Sequence, residues 1–162
     1  MDFMHERSNL MLSRYEQFSA LISGLYRSIQ KIEREEMVKY GFKGAYAQYL
    51  AAMNRHPDGV TSAQLCEICD RDKAAVSRAV ADMEEKGLVL RTGQKDNLYR
   101  ARLTLTDAGR QAAEFVSRRG QEAVEAASQG MTEDDRKILY ATLALISTNL
   151  QSVCKDGLPG KE

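Results

Sequence analysis

The chain has no surplus of either charge: 23 Lys and Arg face 23 Asp and Glu over 162 residues. A passive binder of polyanions is therefore not expected, although specific binding through a locally basic face stays open. No run of eighteen apolar residues occurs, as a membrane-spanning helix requires, and Met1-Asp2-Phe3-Met4-His5-Glu6-Arg7 lacks the apolar core of a secretory signal. A cytoplasmic protein with no membrane partner is the expectation. Catalytic signatures are also missing: there is no Ser nucleophile elbow, no phosphate-cradling Gly-rich loop and no helical His-x-x-x-His. An enzyme would have to rest on Cys66 and Cys69 alone, so a non-enzymatic role without cofactor is expected. Zinc is disfavoured because there is no second C-x-x-C and only His5 and His56 remain to complete four ligands. No internal repeat or low-complexity tract is present.

What is present is an ordinary globular composition, 43% hydrophobic, enough for one domain or a small domain with dimerising extensions. Its most informative part runs from Val60 to Gly109. Thr61-Ser62-Ala63-Gln64 reads as a capping box opening a short helix, with Val60 and Leu65 as its hydrophobic staple and Leu65, Ile68 and Cys69 on its inward face. After a tight turn, Asp72 caps a second helix whose apolar positions Val76, Ala79, Val80 and Met83 recur at helical intervals, and Gly87 stops it. The opposite face carries Lys73, Ala74, Ser77 and Arg78, small or basic groups that allow close approach to another surface. Helix, turn and helix with such a face is the helix-turn-helix arrangement, whose second helix enters the major groove of double-stranded DNA.

Two strand patterns follow, Leu88 to Thr92 and Tyr99 to Leu105, joined by a polar loop through Gly93, Gln94, Lys95, Asp96 and Asn97. They describe a hairpin with a basic tip, a wing. Between Arg71 and Arg102, eight basic residues meet five acidic ones, so the segment is net positive within a neutral chain. Candidate DNA contacts are Lys73, Ala74, Ser77 and Arg78 on the helix, and Arg91, Lys95, Arg100 and Arg102 on the wing, with Lys95 set for phosphate and Arg100 for the minor groove. The run resembles the winged helix-turn-helix of the MarR family of transcription regulators. The resemblance is carried by Leu65 to Ile68, by Asp72-Lys73-Ala74-Ala75-Val76-Ser77-Arg78, and most specifically by Met83-Glu84-Glu85-Lys86-Gly87-Leu88-Val89 and Leu105-Thr106-Asp107-Ala108-Gly109. Many members carry Asp-x-Arg-Arg where this chain has Asn97, Leu98, Tyr99 and Arg100, of which Arg100 alone matches.

Flanking helices complete the plan. Phe18, Leu21, Ile22, Leu25, Ile29 and Ile32 mark a first helix of roughly twenty-five residues after a frayed start. Ala45 to Arg55 forms the next, ended by the turn Pro57-Asp58-Gly59. Thr106 caps a helix bearing Ala112, Phe115, Val116, Ala123 and Val124, interrupted by Gly120. Thr132-Glu133-Asp134-Asp135 opens the last, with Ile138, Leu139, Leu143, Ile146, Leu150 and Val153 as its stripe. The fold class expected is mainly α with a small β-hairpin wing. Residues 1–40 form an N-terminal dimerisation helix, 41–109 the winged helix-turn-helix, and 110–162 the C-terminal dimerisation helices. These outer helices display more apolar surface than the reader domain needs, so an isologous homodimer is expected, setting two recognition helices about 34 Å apart on a palindromic operator.

The resemblance implies a repressor released by a small aromatic effector or stress signal, held between the dimer helices and the winged domain, with Tyr26, Tyr46, Tyr49 and Met53 as candidate lining. Two alternatives remain. Cys66 and Cys69 on one helix face suit either small buried hydrophobes or a redox-sensing pair. A winged helix can also serve protein contacts, since the fold does not fix its partner.

Overall fold

The computed structural model describes residues 3–93, 101–158 and 160, with side chains from Ser13 onward. The chain runs α1 (Phe3–Lys39), α2 (Tyr46–Asn54), α3 (Ser62–Cys69), α4 (Lys73–Glu85), β1 (Val89–Thr92), β2 (Arg102–Leu105), α5 (Asp107–Ala127) and α6 (Glu133–Asp156). The mainly helical fold with a two-stranded hairpin is the expected one. It divides into two compact units, residues 1–123 and 124–162.

In the first unit, α1 is longer than its apolar stripe implied, covering 37 residues from Phe3 where a frayed start was expected. No proline falls inside it, so nothing stops the helix where the apolar pattern begins. Similarly, Gly120 leaves α5 unbroken across its 21 residues; glycine lowers helix stability without ending a helix. The 109/110 boundary drawn from sequence falls within the first turn of α5.

The core joins α2, α3, α4, both strands and the start of α5. Tyr46, Leu50, Met53, Leu65, Val76, Val80, Met83, Leu88 and Leu103 are all but inaccessible to solvent. Against it lies an aromatic run from the end of α1 to α5, with Tyr40 4.7 Å from Phe115 between ring centroids and 6.0 Å from Phe42, which is 6.4 Å from Tyr46. Glu36, the buried acid of α1, receives Arg119 of α5 at 3.0 Å and Lys39 at 2.5 Å. These hydrogen bonds hold its carboxyl below the usual range, and they replace the water that burial removes.

The strands pair antiparallel with Val89 opposite Leu105 and Thr92 opposite Arg102, and Val60 adds a bridge to Leu103. The two most specific motifs of the sequence lock together at their root. Gly87 adopts φ +69°, a left-handed geometry that ends α4. The Thr106 hydroxyl donates to the Gly87 carbonyl at 2.7 Å and accepts from the Gly109 N–H at 3.0 Å, while the Thr106 N–H donates to the Leu88 carbonyl at 3.0 Å. A Cβ on Gly109 would lie 2.0 Å from the Leu88 carbonyl oxygen, so α5 meets the hairpin only because residue 109 has no side chain.

The second unit is mainly α6, opened by a complete capping box between Thr132 and Asp135 and by three acidic residues in its first turn. Ile138, Leu139, Leu143 and Leu150 are exposed, and α6 buries no residue. On α1, Phe18, Leu21, Ile22, Leu25 and Ile29 are likewise exposed.

Candidate nucleic-acid interface

The helix-turn-helix is built from local signals. Thr61 accepts from the Gln64 N–H at 3.2 Å while its own N–H donates to the Gln64 side chain at 2.8 Å, so the capping box is complete. Asp70, at the end of α3, takes the left-handed conformation at φ 49° and turns the chain. Asp72 then accepts from the Ala75 N–H at 2.9 Å and caps α4; that backbone hydrogen bond holds its carboxyl below the usual range. Within α4, Val76, Val80 and Met83 point into the core. The 3.6-residue repeat therefore turns Lys73, Ala74, Ser77 and Arg78 outward, and all four are exposed.

In front of that face lies an open groove of about 710 Å³ lined by Ser62, Ala63, Cys66, Glu67, Lys73, Ser77 and Arg91. It brings together α3, the first turns of α4 and strand β1. The wing arginines divide. Arg91 grips Glu84 of α4 through two hydrogen bonds, 3.1 and 2.9 Å. Arg102 turns back to the carbonyls of Asp58 and Gly59 at 3.2 and 3.1 Å. Both fasten the hairpin to the domain, a role invisible in a tally of basic residues. Lys95 and Arg100, with the Asn97 to Tyr99 stretch, lie outside the described residues.

One expectation about α3 is corrected: Ile68 is 42% exposed. Leu65 is fully buried, and Cys66 and Cys69 pack against the core. At about 100° per residue the buried arc runs from Leu65 through Cys69 to Cys66, leaving Ile68 outside it. All three cysteines are unpaired. The Cys69 thiol points to the Gln48 carbonyl at 3.8 Å, and burial pushes its pKa up, which disfavours the reactive thiolate.

The candidate effector residues separate. Tyr46, Tyr49 and Met53 are buried in the core of α2, whereas Tyr26 is 59% exposed on α1 and accepts a hydrogen bond from Gln30 at 2.7 Å. None of the four lines the smaller cleft beside them. That cleft, about 60 Å³, is walled by Gln30, Glu33 and Arg34 of α1, by Gly44, Ala45, Ala47 and Gln48 at the start of α2, and by Arg71 in the turn before α4. Sequence periodicity missed it because its walls come from three separate segments. Burial pushes the Glu33 pKa up, against the opposing pull of Arg55.

Comparison with known proteins agrees with this geometry. Residues 40–96 match the model of the MarR family. The helix-turn-helix-type transcriptional regulator YybA of Bacillus subtilis is 22% identical over 130 residues, 80% of this chain and 86% of that protein. Among solved structures, a MarR family transcriptional regulator from Listeria monocytogenes complexed with 26mer DNA superposes with a TM-score of 0.68 at 22% identity, covering 87% of this chain and 95% of the other. A MarR transcriptional regulator from Methanosarcina mazei gives a TM-score of 0.72 at 22% identity, over 85% and 92% of the two chains.

Proposed function

We propose that the chain is a MarR-family DNA-binding transcriptional regulator: a cytoplasmic, homodimeric repressor of a palindromic operator, released when a small effector occupies the cleft beside α2. The observation that carries the DNA reading is the face of α4. Its apolar side is wholly committed to the core, and its exposed side offers Lys73, Ala74, Ser77 and Arg78 in front of an open groove. Small residues permit close approach, Ser77 supplies a hydroxyl, and Arg78 has the planar fork that reads a guanine edge or clasps a phosphate. Lys95 and Arg100 remain the candidates for phosphate and minor-groove contacts from the wing.

Homodimer formation is supported by the apolar stripes of α1 and α6, which the chain itself leaves exposed and which a second copy would bury. For the effector, the cleft supplies what the tightly packed Tyr46, Tyr49 and Met53 do not: space. Its volume suits a few non-hydrogen atoms, and Gln30, Arg34, Gln48 and Arg71 offer polar contacts that would orient them. Tyr26 would take part only if the second protomer closed over α1.

The test is binding of the full chain to a duplex enriched from a randomised library, against random duplex, over a range of salt. Affinity should fall steeply with salt on both. Arg78→Ala should lower affinity for the enriched duplex by about 1–3 kcal/mol if it reads a base, and on both duplexes equally if it holds phosphate. No enrichment, with binding insensitive to salt, would remove the DNA reading and favour a protein partner.

A further inference from the structure

The Lys43–Gln48 turn, which leads into α2, has two working sides. Lys43 Nζ and the Tyr46 hydroxyl both reach Oδ2 of Asp82 on α4. The residues interleaved with them, Gly44, Ala45, Ala47 and Gln48, face the cleft instead. The turn is stiff: the Tyr46 N–H donates to the Lys43 carbonyl at 2.9 Å and the Ala47 N–H to that of Gly44 at 3.2 Å. It also has no slack against α1, because a Cβ on Gly44 would stand 2.9 Å from the Arg34 carbonyl oxygen and 3.1 Å from its Cβ. A group larger than the cleft, about 60 Å³, must therefore displace this turn or α1.

We propose that Asp82 is a positioning residue for operator recognition: through Lys43 and Tyr46 it fixes the tilt of α4, and displacement of the Lys43–Gln48 turn is transmitted to the DNA-reading face through that joint. The inference rests on the reading of α4 as recognition helix and of the cleft as effector site. Asp82 lies nine residues from Lys73 along α4, about 13 Å, so a tilt of about ten degrees pivoting there moves Lys73 by about 2 Å. Direct hydrogen bonds to base edges do not survive such a shift, whereas phosphate attraction largely does. The joint is chemically firm: hydrogen bonds from Lys43 and Tyr46 hold the Asp82 carboxyl below its usual range, and burial together with Asp82 pushes the Tyr46 phenol up, keeping it a donor.

The experiment uses the full chain with the duplex enriched by the wild-type protein and with random duplex. Tyr46→Phe removes one donor from Asp82 and leaves the ring in the core; Gly44→Ala drives a methyl between α2 and α1. Each should weaken binding to the enriched duplex by about tenfold while leaving random-duplex affinity and the salt slope in place. The double variant should be little worse than the weaker-binding single one, because both changes break one joint. Should Gly44→Ala fail to fold, Ala45→Leu fills the cleft from an exposed position in the same turn and takes its place. Wild-type affinity in Tyr46→Phe, equal losses on both duplexes, or independent multiplication of the two effects would each overturn the inference. Arg78→Ala is the control: if it too leaves affinity intact, the recognition-helix reading itself has failed, whereas loss in Arg78→Ala beside a wild-type Tyr46→Phe sinks the joint alone.

Discussion

Gly109→Ala is the sharpest test of how the hairpin is mounted. The new Cβ would stand 2.0 Å from the Leu88 carbonyl oxygen and 3.3 Å from Leu105 Cδ2. An ordinary carbon–oxygen contact is about 3.3 Å or more, so the start of α5 and the root of the hairpin must part by about 1 Å. The Leu88 carbonyl is backbone and cannot rotate aside. Overpacking of this kind costs about 1–3 kcal/mol. The same movement stretches the Thr106 N–H bond to Leu88 and the Thr106 hydroxyl bond to Gly87, each contributing about 1 kcal/mol. Better helix propensity returns less than about 1 kcal/mol so near the helix start. The net loss is about 2–4 kcal/mol, a fall of about 1–2 M in urea midpoint at a slope near 2 kcal/mol/M. Denaturation followed by helical circular dichroism, at fixed protein concentration because the proposed dimer's stability would depend on it, reads this directly. Gly120→Ala is the internal control: it lies on the same helix with nothing within 4 Å of its would-be Cβ, and it should be neutral or stabilising by up to about 1 kcal/mol. If Gly109→Ala tracked Gly120→Ala, the mutual locking of the two motifs would be wrong.

Three further outcomes are expected. Arg91→Ala should leave the salt slope of DNA binding unchanged, because Arg91 is held by Glu84, while destabilising the hairpin's attachment to α4; a slope reduced by about one would instead make it a phosphate contact. Stability should hold from neutral pH to about 5 and decline below about 4. Glu36, Asp72, Asp82 and Asp135 all have carboxyls held down in the folded state, so the unfolded chain takes up protons first and folding weakens as pH falls through the folded values. Glu33 runs the other way, its pKa raised chiefly by burial. Glu33→Gln should therefore be no less stable than wild type at pH 7, with any advantage closing as the pH approaches about 4; a penalty at pH 7 that disappears in acid would contradict the assignment.

Local rules made much of the reader legible. The box at Thr61 and the cap at Asp72 are each written within four consecutive residues, and the stripe of α4 repeats often enough to fix its inward side. What escaped depends on partners far along the chain. Glu36 meets Arg119 across 83 residues and Tyr46 meets Asp82 across 36, and nothing in composition or period marks either pair. Ile68 was misplaced because an eight-residue helix carries too few apolar positions to centre its buried arc. The resemblance of Met83 to Val89 and of Leu105 to Gly109 to family motifs was visible in sequence, but its cause was not. Gly87, Thr106 and Gly109 form one hydrogen-bonded, sterically tight joint.

Counting charges along the wing segment errs in both directions, and the errors bear on specificity. Arg91 adds to the basic tally yet is neutralised by Glu84, and Arg102 is bound to carbonyls of the preceding turn. Asp82 adds to the acidic tally yet is taken up by Lys43 and Tyr46. Within the described part of the segment, the proposed contact surface narrows to the first two turns of α4, around Lys73, Ser77 and Arg78. If those residues read bases, misplacement of α4 is costly, since each base-directed hydrogen bond lost is a large share of the discrimination that helix supplies. On this proposal specificity depends on the orientation of α4, which Glu84 through Arg91 and Asp82 through the start of α2 hold from behind. Evolving a new operator preference should accordingly draw on changes at those supports as well as at residues 73–78.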